Sequence, residues 1–432
     1  MKSNIKPNNM RKIVISFYLT FFSLSIFASK EGRPNILLLV SEDNGPQLGC
    51  YGDPFAHTPN LDELGNKGVI FGKAYVTQAG CSPSRASIFT GSYPHENGQI
   101  GLATHGFRLY TESTFNFINA LKESGYRTAI LGKIHVNPES AFNLDEKLKG
   151  DSFSKRNVQE VSDNAMNFIN KSDQPFFLMV NYADAHRPFI KQDEGLPLYP
   201  HNKGDVDPLP YFGFSDDNIE QQVADYYNCI ERLDAGIGIL INALKKTGKY
   251  ENTLIVYLSD HGAEFLRGKM TPYEGGTSIP LLIKWNDNFK AGQRREELVS
   301  TIDLLPTFLE AANIKCPVTL NGKSLLPLLQ GKKIPWRDYL FTEYHVHSVH
   351  NLYPSRTVRD KKYKLIINLL HGQENPEYKH RTNLYYGSAT YVDSILKLAP
   401  KKIQNTYKLF RKAPEFELYD LENDPYEFNN LR

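Results

Sequence analysis

Two apolar runs of this chain end in polar pairs that could hold a cation. "NILLLV" (35–40) runs into Ser41-Glu42-Asp43, and "TLIVYLS" (253–259) runs into Asp260-His261-Gly262. Brought together, two such anionic pairs repel unless a cation sits between them. Oxygen-rich ligation with one imidazole suits a hard divalent ion, calcium or magnesium, better than a structural zinc. Taken singly, either pair is better read as the cap of a following helix or turn, a common place for aspartate. Two further runs also end in polar groups: "RTAILGK" (127–133) leads into Ile134-His135, and "PFFLMVNY" (175–182) into Ala183-Asp184-Ala185-His186.

Such apolar, β-branched runs read as buried strands of a parallel-type sheet. Helical patterns lie between them. The clearest spans 219–246, with Val223, Tyr226, Ile230, Leu233, Ile237, Leu240 and Leu244 spaced three or four apart. Alternating strands and helices argue a wound α/β sheet, in which ligands bind beyond the carboxyl ends of the strands. One polar strand end is unremarkable. Four that deliver carboxylates, histidines and a lysine point to an active site. After about residue 335 the texture changes to short antiparallel strands and turns, joined by a basic, Tyr-rich helix near 390–411. This predicts a catalytic domain over 33–334 and a small C-terminal subdomain over 335–432.

The 432 residues, 41% hydrophobic and 23% charged, suffice for one large domain and a smaller one and exclude disorder. A formal net charge of +2 predicts no strong field for nucleic acid. The basic "MKSNIKPNNMRK", the apolar "IVISFYLTFFSLSIF" and the small residues Ala28-Ser29 follow the order of a secretory signal peptide over 1–28. That implies a periplasmic or secreted protein, free of the membrane after cleavage. Cys50, Cys81, Cys229 and Cys316 are too scattered for a disulfide framework or a zinc site. Cys50, Cys229 and Cys316 are assigned to packing.

Cys81 stands apart because "GCSPSRASIFTG" (80–91) resembles the type I sulfatase signature C-x-P-S-R-x-x-x-x-T-G, with Cys81, Pro83, Ser84, Arg85, Thr90 and Gly91 in register. In that family the cysteine becomes Cα-formylglycine after synthesis. The likeness continues through "RPNILLLVSED", "HTPNLDELGNKGVIFGKAYV", "GYRTAILGKIHV", "FFLMVNYADAHRPF", "NTLIVYLSDHG" and "LENDPYEFNNL". Within the family it is strongest to the heparan sulfamidases, through "GKIHVNPES", "YYNCIERLDAGIG" and "YPSRTVRDKKYKLIINL".

The resemblance implies an alkaline-phosphatase-like fold, with a large, mostly parallel sheet between helices and a small antiparallel C-terminal sheet. It implies that Glu42, Asp43, Asp260 and His261, with residue 81, bind one divalent metal, calcium in this family. Arg85 would hold the formylglycine, Lys133 and His135 would flank its hydrate, His186 would serve the leaving group, and Lys269 would contact the sulfate. One geminal hydroxyl attacks sulfur and the other expels sulfate, with no need for water to hydrolyse a serine ester. The implied substrate is a sulfated saccharide from polysaccharide degradation, either N-sulfoglucosamine or an O-sulfated, for example ulvan-type, sugar. The implied partner is a formylglycine-generating enzyme.

The chain departs from the usual pattern at Glu42, where most members carry aspartate, and at His261, where asparagine is commoner. "GKMTPYEGG", with Lys269, is a pattern of O-sulfatases rather than sulfamidases. A phosphatase or phosphodiesterase of the superfamily would need Ser or Thr in place of Cys81, and a non-catalytic sugar-binding relative has no reason to keep these residues together. His95, His105, His345, His347 and His350 are candidates to line the substrate pocket.

Overall fold

The computed structural model describes residues 1, 33–152, 154–285 and 289–432; apart from Met1, the signal peptide expected over 1–28 lies outside the described residues. Eight strands form the main sheet: β1 (Asn35–Ser41), β2 (Val69–Phe71), β3 (Arg127–Leu131), β4 (Glu146–Leu148), β5 (Phe176–Tyr182), β6 (Thr253–Ser259), β7 (Leu281–Lys284) and β8 (Gln293–Arg295). Their spatial order is β8-β2-β7-β6-β1-β5-β3-β4. All run parallel except β7, which lies antiparallel to β2 and β6.

The composition of β1 explains its place at the centre. Leu37 and Leu39 join a core on one face with Leu178, Val180, Ile255 and Tyr257. Ile36, Leu38 and Val40 join another on the opposite face with Phe177, Met179, Val256 and Leu258. A strand buried on both sides must be apolar at every position. The long helix Asp217–Lys246 covers the first core. Asp216 caps it, accepting from the Ile219 N–H at 2.8 Å, and Lys245 and Lys246 complement its last turn. Its predicted apolar stripe from Val223 to Leu244 is buried throughout.

The four polar strand ends found in the sequence belong to β6, β1, β5 and β3, which are consecutive neighbours. Ser41 lies level with Tyr182 on one side and Ser259 on the other. Glu42, Ala183 and Asp260 therefore leave the sheet side by side. Backbone bonds knit them: Glu42 N–H to Asp184 O (3.0 Å), Ala185 N–H to Glu42 O (2.6 Å) and Asp260 N–H to Ser41 O (3.0 Å). Behind them the buried Asp184 carboxylate accepts two bonds from Arg232, each 2.8 Å, and one of 2.9 Å from Arg156. Arg156 also donates to the His186 carbonyl at 3.0 Å.

A second, four-stranded sheet is an antiparallel meander of Leu340–Tyr344, Ser355–Arg359, Tyr363–Asn368 and Phe416–Asp420. The single helix expected near 390–411 is instead two, Ala389–Leu396 and Lys401–Arg411. They part at Pro400, which has no N–H to continue the ladder. Buried Lys364 pairs with Glu427 (2.7 Å) and Glu274 (3.0 Å), and Arg359 with Glu274 (2.7 Å). These pairs fix the meander to the segment that follows β6, and Arg33–Arg432 form one compact unit.

Two substitutions test this framework. Asp184→Ala strands two buried guanidiniums and is expected to cost about 3–5 kcal/mol in denaturant unfolding; a loss below about 0.5 kcal/mol would place the cluster in solvent. A Cβ on Gly262 would sit 2.1 Å from the Gly275 carbonyl oxygen. Gly262→Ala is therefore expected to lower the calorimetric midpoint, at about 1–3 kcal/mol. An unchanged midpoint would contradict the close backbone approach.

Candidate active site

The signature forms the buried helix Cys81–Thr90, with Cys81 at its first position and Gly80 as extended N-cap. The motif residues explain its ends. Gly91 closes the helix in the left-handed region (φ 65°), donating to Ser87 O, and Thr90 returns its hydroxyl to Ala86 O at 2.7 Å. The partial positive charge of the helix N-terminus falls on residue 81. The Arg85 side chain, one turn on, is fully buried and reaches all four strand ends. It donates to Asp260 Oδ2 after β6 (3.1 Å), to Asn181 Oδ1 in β5 (2.5 Å) and to the Lys133 carbonyl after β3 (3.0 Å). Its Nη2 also lies 3.7 Å from Glu42 Oε1 after β1.

Asp43, Cys81, Asp260 and His261 each bring a ligand atom within 4.8 Å of the others. Cys81 Sγ is 3.3 Å from His261 Nε2, which is 3.2 Å from Asp43 Oδ1 and 3.7 Å from Asp260 Oδ1. The His261 Nδ1–H donates to the Gly262 carbonyl at 2.9 Å, which turns Nε2 into the cluster. Burial pushes the Asp43 carboxyl up to about 6, even with Lys269 beside it. Its Oδ1 is buried without a hydrogen-bond partner. Asp260 and Asp43 raise the His261 imidazole to about 9 against the effect of burial. The cluster thus draws positive charge to the position of the orphan oxygen. Two carboxylates, one oriented imidazole and a group at residue 81 fit a divalent cation.

Glu42 is not part of that group of four. Its Oε2 accepts from Lys133 Nζ at 2.5 Å, and it groups instead with Asp43 and His186. Lys269 Nζ donates to Asp43 Oδ2 at 2.7 Å. Against burial, Lys133, Lys269 and His261 hold the Cys81 thiol well below its usual range. A place that stabilises a buried thiolate is a place for any oxyanion formed there. His186 Nδ1–H donates to the Arg187 carbonyl at 2.6 Å, leaving Nε2 facing the cluster, 3.9 Å from Asp43 Oδ2. His135, in the left-handed region at φ 58°, contributes to lowering the Cys81 thiol. All ten residues singled out in the sequence thus meet in one region.

Asn181, Glu264 and His347 complete the surroundings. Asn181 also donates to Leu131 O at 3.0 Å, locking β5 to β3 beneath Arg85; a single polar residue inside an apolar run carried the signal. Glu264 lies 3.7 Å from Lys269 and 3.6 Å from Arg381. Of the five pocket candidates, His347 is buried, with its Nδ1 unpartnered and 3.2 Å from the position of a Cβ on Gly80. His95 and His345 pair with Glu343 instead, at 2.7 and 3.2 Å. His105 and His350 are exposed.

The sulfatase family model matches residues 34–314, and the model of the N-sulphoglucosamine sulphohydrolase C-terminal region matches 265–378. The chain is similar to human N-sulphoglucosamine sulphohydrolase, 31% identical over 438 residues that cover 92% of this chain and 86% of that protein. It is similar to an ulvan-active sulfatase of Formosa agariphila, 30% identical over 412 residues that cover 92% and 76% respectively. A solved structure in complex with its substrate, D-glucosamine-2-N,6-O-disulfate, matches with a TM-score of 0.69 at 23% identity over 93% of both chains. The phosphonate monoester hydrolase of Agrobacterium radiobacter matches with a TM-score of 0.68 at 19% identity, over 92% and 91%. These structural likenesses are of fold alone, and fold does not decide reaction. The family match over 34–314 together with the relative 31% identical does: the chain belongs to the sulfatase family, hydrolases of sulfate esters and sulfamates.

Proposed function

We propose that this protein is an exported, periplasmic or secreted, calcium-dependent sulfatase that removes sulfate from saccharides during polysaccharide degradation, with formylglycine made from Cys81 as its nucleophile. The observation that carries the reading is the placement of the signature cysteine. It begins a buried helix, 3.3 Å from His261, among Asp43, Asp260, Lys133 and Lys269. The relatives' names, N-sulphoglucosamine sulphohydrolase and ulvan-active sulfatase, support a sulfated sugar and leave sulfamate and O-sulfate as rival targets. We also propose a division near residue 335, with the antiparallel meander as a C-terminal subdomain.

Asp43, Asp260, His261 and residue 81 would hold the metal, with Glu42 as a further ligand. The bound ion would supply a Lewis acid beside residue 81, and formylglycine there the paired hydroxyls that take up and release sulfate. The chain's own groups do the rest. Arg85 fixes the helix turn that carries residue 81 against the strand ends. Lys133 and Lys269 place fixed positive charge where the oxygens of the transferring group gather negative charge, and preorganised charge is usually the largest catalytic contribution. His186, its Nδ1–H committed to the Arg187 carbonyl, presents Nε2 to deliver a proton to the departing oxygen or nitrogen. His135, whose side chain hydrogen-bonds Cys81, is assigned to orient the hydroxyls of residue 81.

The test is sulfate release by protein co-expressed with a formylglycine-generating enzyme, on N-sulfoglucosamine and a panel of O-sulfated oligosaccharides. Release from at least one is expected, and Cys81→Ala should lower it by at least about 10³-fold, as loss of a nucleophile does. A Cys81→Ala protein that still turns over would contradict the reading. Release from the sulfamate alone would identify an N-sulfatase, and release from O-sulfated sugars alone an O-sulfatase.

A further inference from the structure

Beside His186 lies a cavity of about 420 Å³, lined by His186, Arg187, Phe189, Gln222, Asp225 and Tyr385. Arg187 is held in its wall by neutral hydrogen-bond acceptors and aromatic rings, with the Glu264 carboxylate attracting it only from beyond ion-pair distance. Nε donates to the Glu264 carbonyl at 3.2 Å and Nη2 to Gln222 Oε1 at 2.6 Å. The guanidinium lies 4.2 Å from the ring centroids of Phe189 and Tyr385 and 5.1 Å from that of Phe265. The Glu264 carboxylate is already engaged, by Tyr385 OH at 3.1 Å and by Lys269 and Arg381 at 3.7 and 3.6 Å. Asp225, one turn along the helix from Gln222, accepts from Gln221 through Oδ2 and keeps a buried Oδ1 without a partner. Among the described residues no carboxylate pairs with Arg187, and burial lowers the pKa of its guanidinium.

A cation taken partly out of water without an ion-pair partner in contact is costly. The aromatic faces recover part of that. What they leave is a rigid, partly desolvated fork of donors, the geometry that recognises carboxylate and sulfate-like oxyanions. The cavity is joined to the reaction site through His186, whose ring faces Asp43 and whose Nδ1–H is bonded to the Arg187 carbonyl. A sugar whose scissile sulfate sits at residue 81, with its leaving atom at His186, meets this cavity next.

We propose, resting on the sulfatase reading above, that Arg187 selects substrates bearing a second oxyanion, a sulfate or carboxylate other than the group being cleaved, while Asp225 accepts from a sugar hydroxyl. The second oxyanion has two sources: another sulfate on the same sugar, or the carboxylate of a neighbouring uronate. The test is calorimetric binding to the full chain expressed without the maturation enzyme, using matched pairs. One pair is glucosamine N-sulfate against glucosamine-2-N,6-O-disulfate; the other is a sulfated uronate disaccharide against its carboxyl-reduced form.

In at least one pair the doubly anionic member is expected to bind about tenfold tighter, the size of one charge-assisted bond. Which pair shows it identifies the source. Arg187→Met, which fills the aromatic cage without charge, should bring the ratio to about 1, and Arg187→Lys should keep part of it. Equal binding within both pairs, or a ratio that survives in Arg187→Met, overturns the proposal; the wild-type ratio decides alone if that variant does not fold. Sulfate release by the converted enzyme from the same sugars separates the two readings. Release without preference sinks the role of Arg187 and keeps the sulfatase; preference without release does the reverse.

Discussion

Arg85 holds the structure to its purpose. Its guanidinium is fully buried and touches a group from each of the four central strand ends: Asp260, Glu42, Asn181 and the carbonyl of Lys133. A buried charge left unpaired is strongly destabilising. The helix that begins at Cys81 can therefore dock in one place only, where β6, β1, β5 and β3 finish together. The level register of Ser41, Tyr182 and Ser259 makes that place exist. Sheet register, a buried cation and the signature helix are one constraint seen from three sides.

The charges around residue 81 are sorted. Asp43, Asp260 and His261 stand on one side as a ligand set, where the buried Asp43 Oδ1 and the raised pKa of the His261 imidazole mark where positive charge is wanted. Lys133 and Lys269 stand where negative charge is wanted, and they already stabilise the thiolate of Cys81. The same two lysines neutralise Glu42 and Asp43. Each cation thus serves folding through a buried pair and serves the reaction through the field it leaves at residue 81.

The parts legible in the sequence were those with a local signature. Apolar runs ending in polar residues marked the four strands, because a strand buried on both faces cannot alternate. The stripe from Val223 to Leu244 marked the long helix, and C-x-P-S-R marked Cys81 as the reactive position, though not that it begins a helix. Illegible were the pairings made across long stretches of chain. Asp184 read as one more acid at a strand end, yet Arg156 binds it from the loop before the helix Val158–Asn170 and Arg232 from the long helix Asp217–Lys246. Asn181 hid inside a hydrophobic run. His347 reaches Gly80 from the C-terminal part, and nothing in its own segment separates it from His345, which turns to Glu343. The break at Pro400 had a local signal, a proline inside the expected helix, but the reading of one helix near 390–411 passed over it.

The account stands most directly on cation binding by the buried cluster. Calcium titrated calorimetrically into the full chain, after chelator treatment, should bind at one site per chain. Asp260→Asn should weaken that binding by well over about tenfold, as loss of a ligand exceeds loss of a ligand's own support. Absence of calcium binding, or binding that Asp260→Asn leaves unchanged, would contradict the assignment of Asp43, Asp260 and His261 as a metal centre.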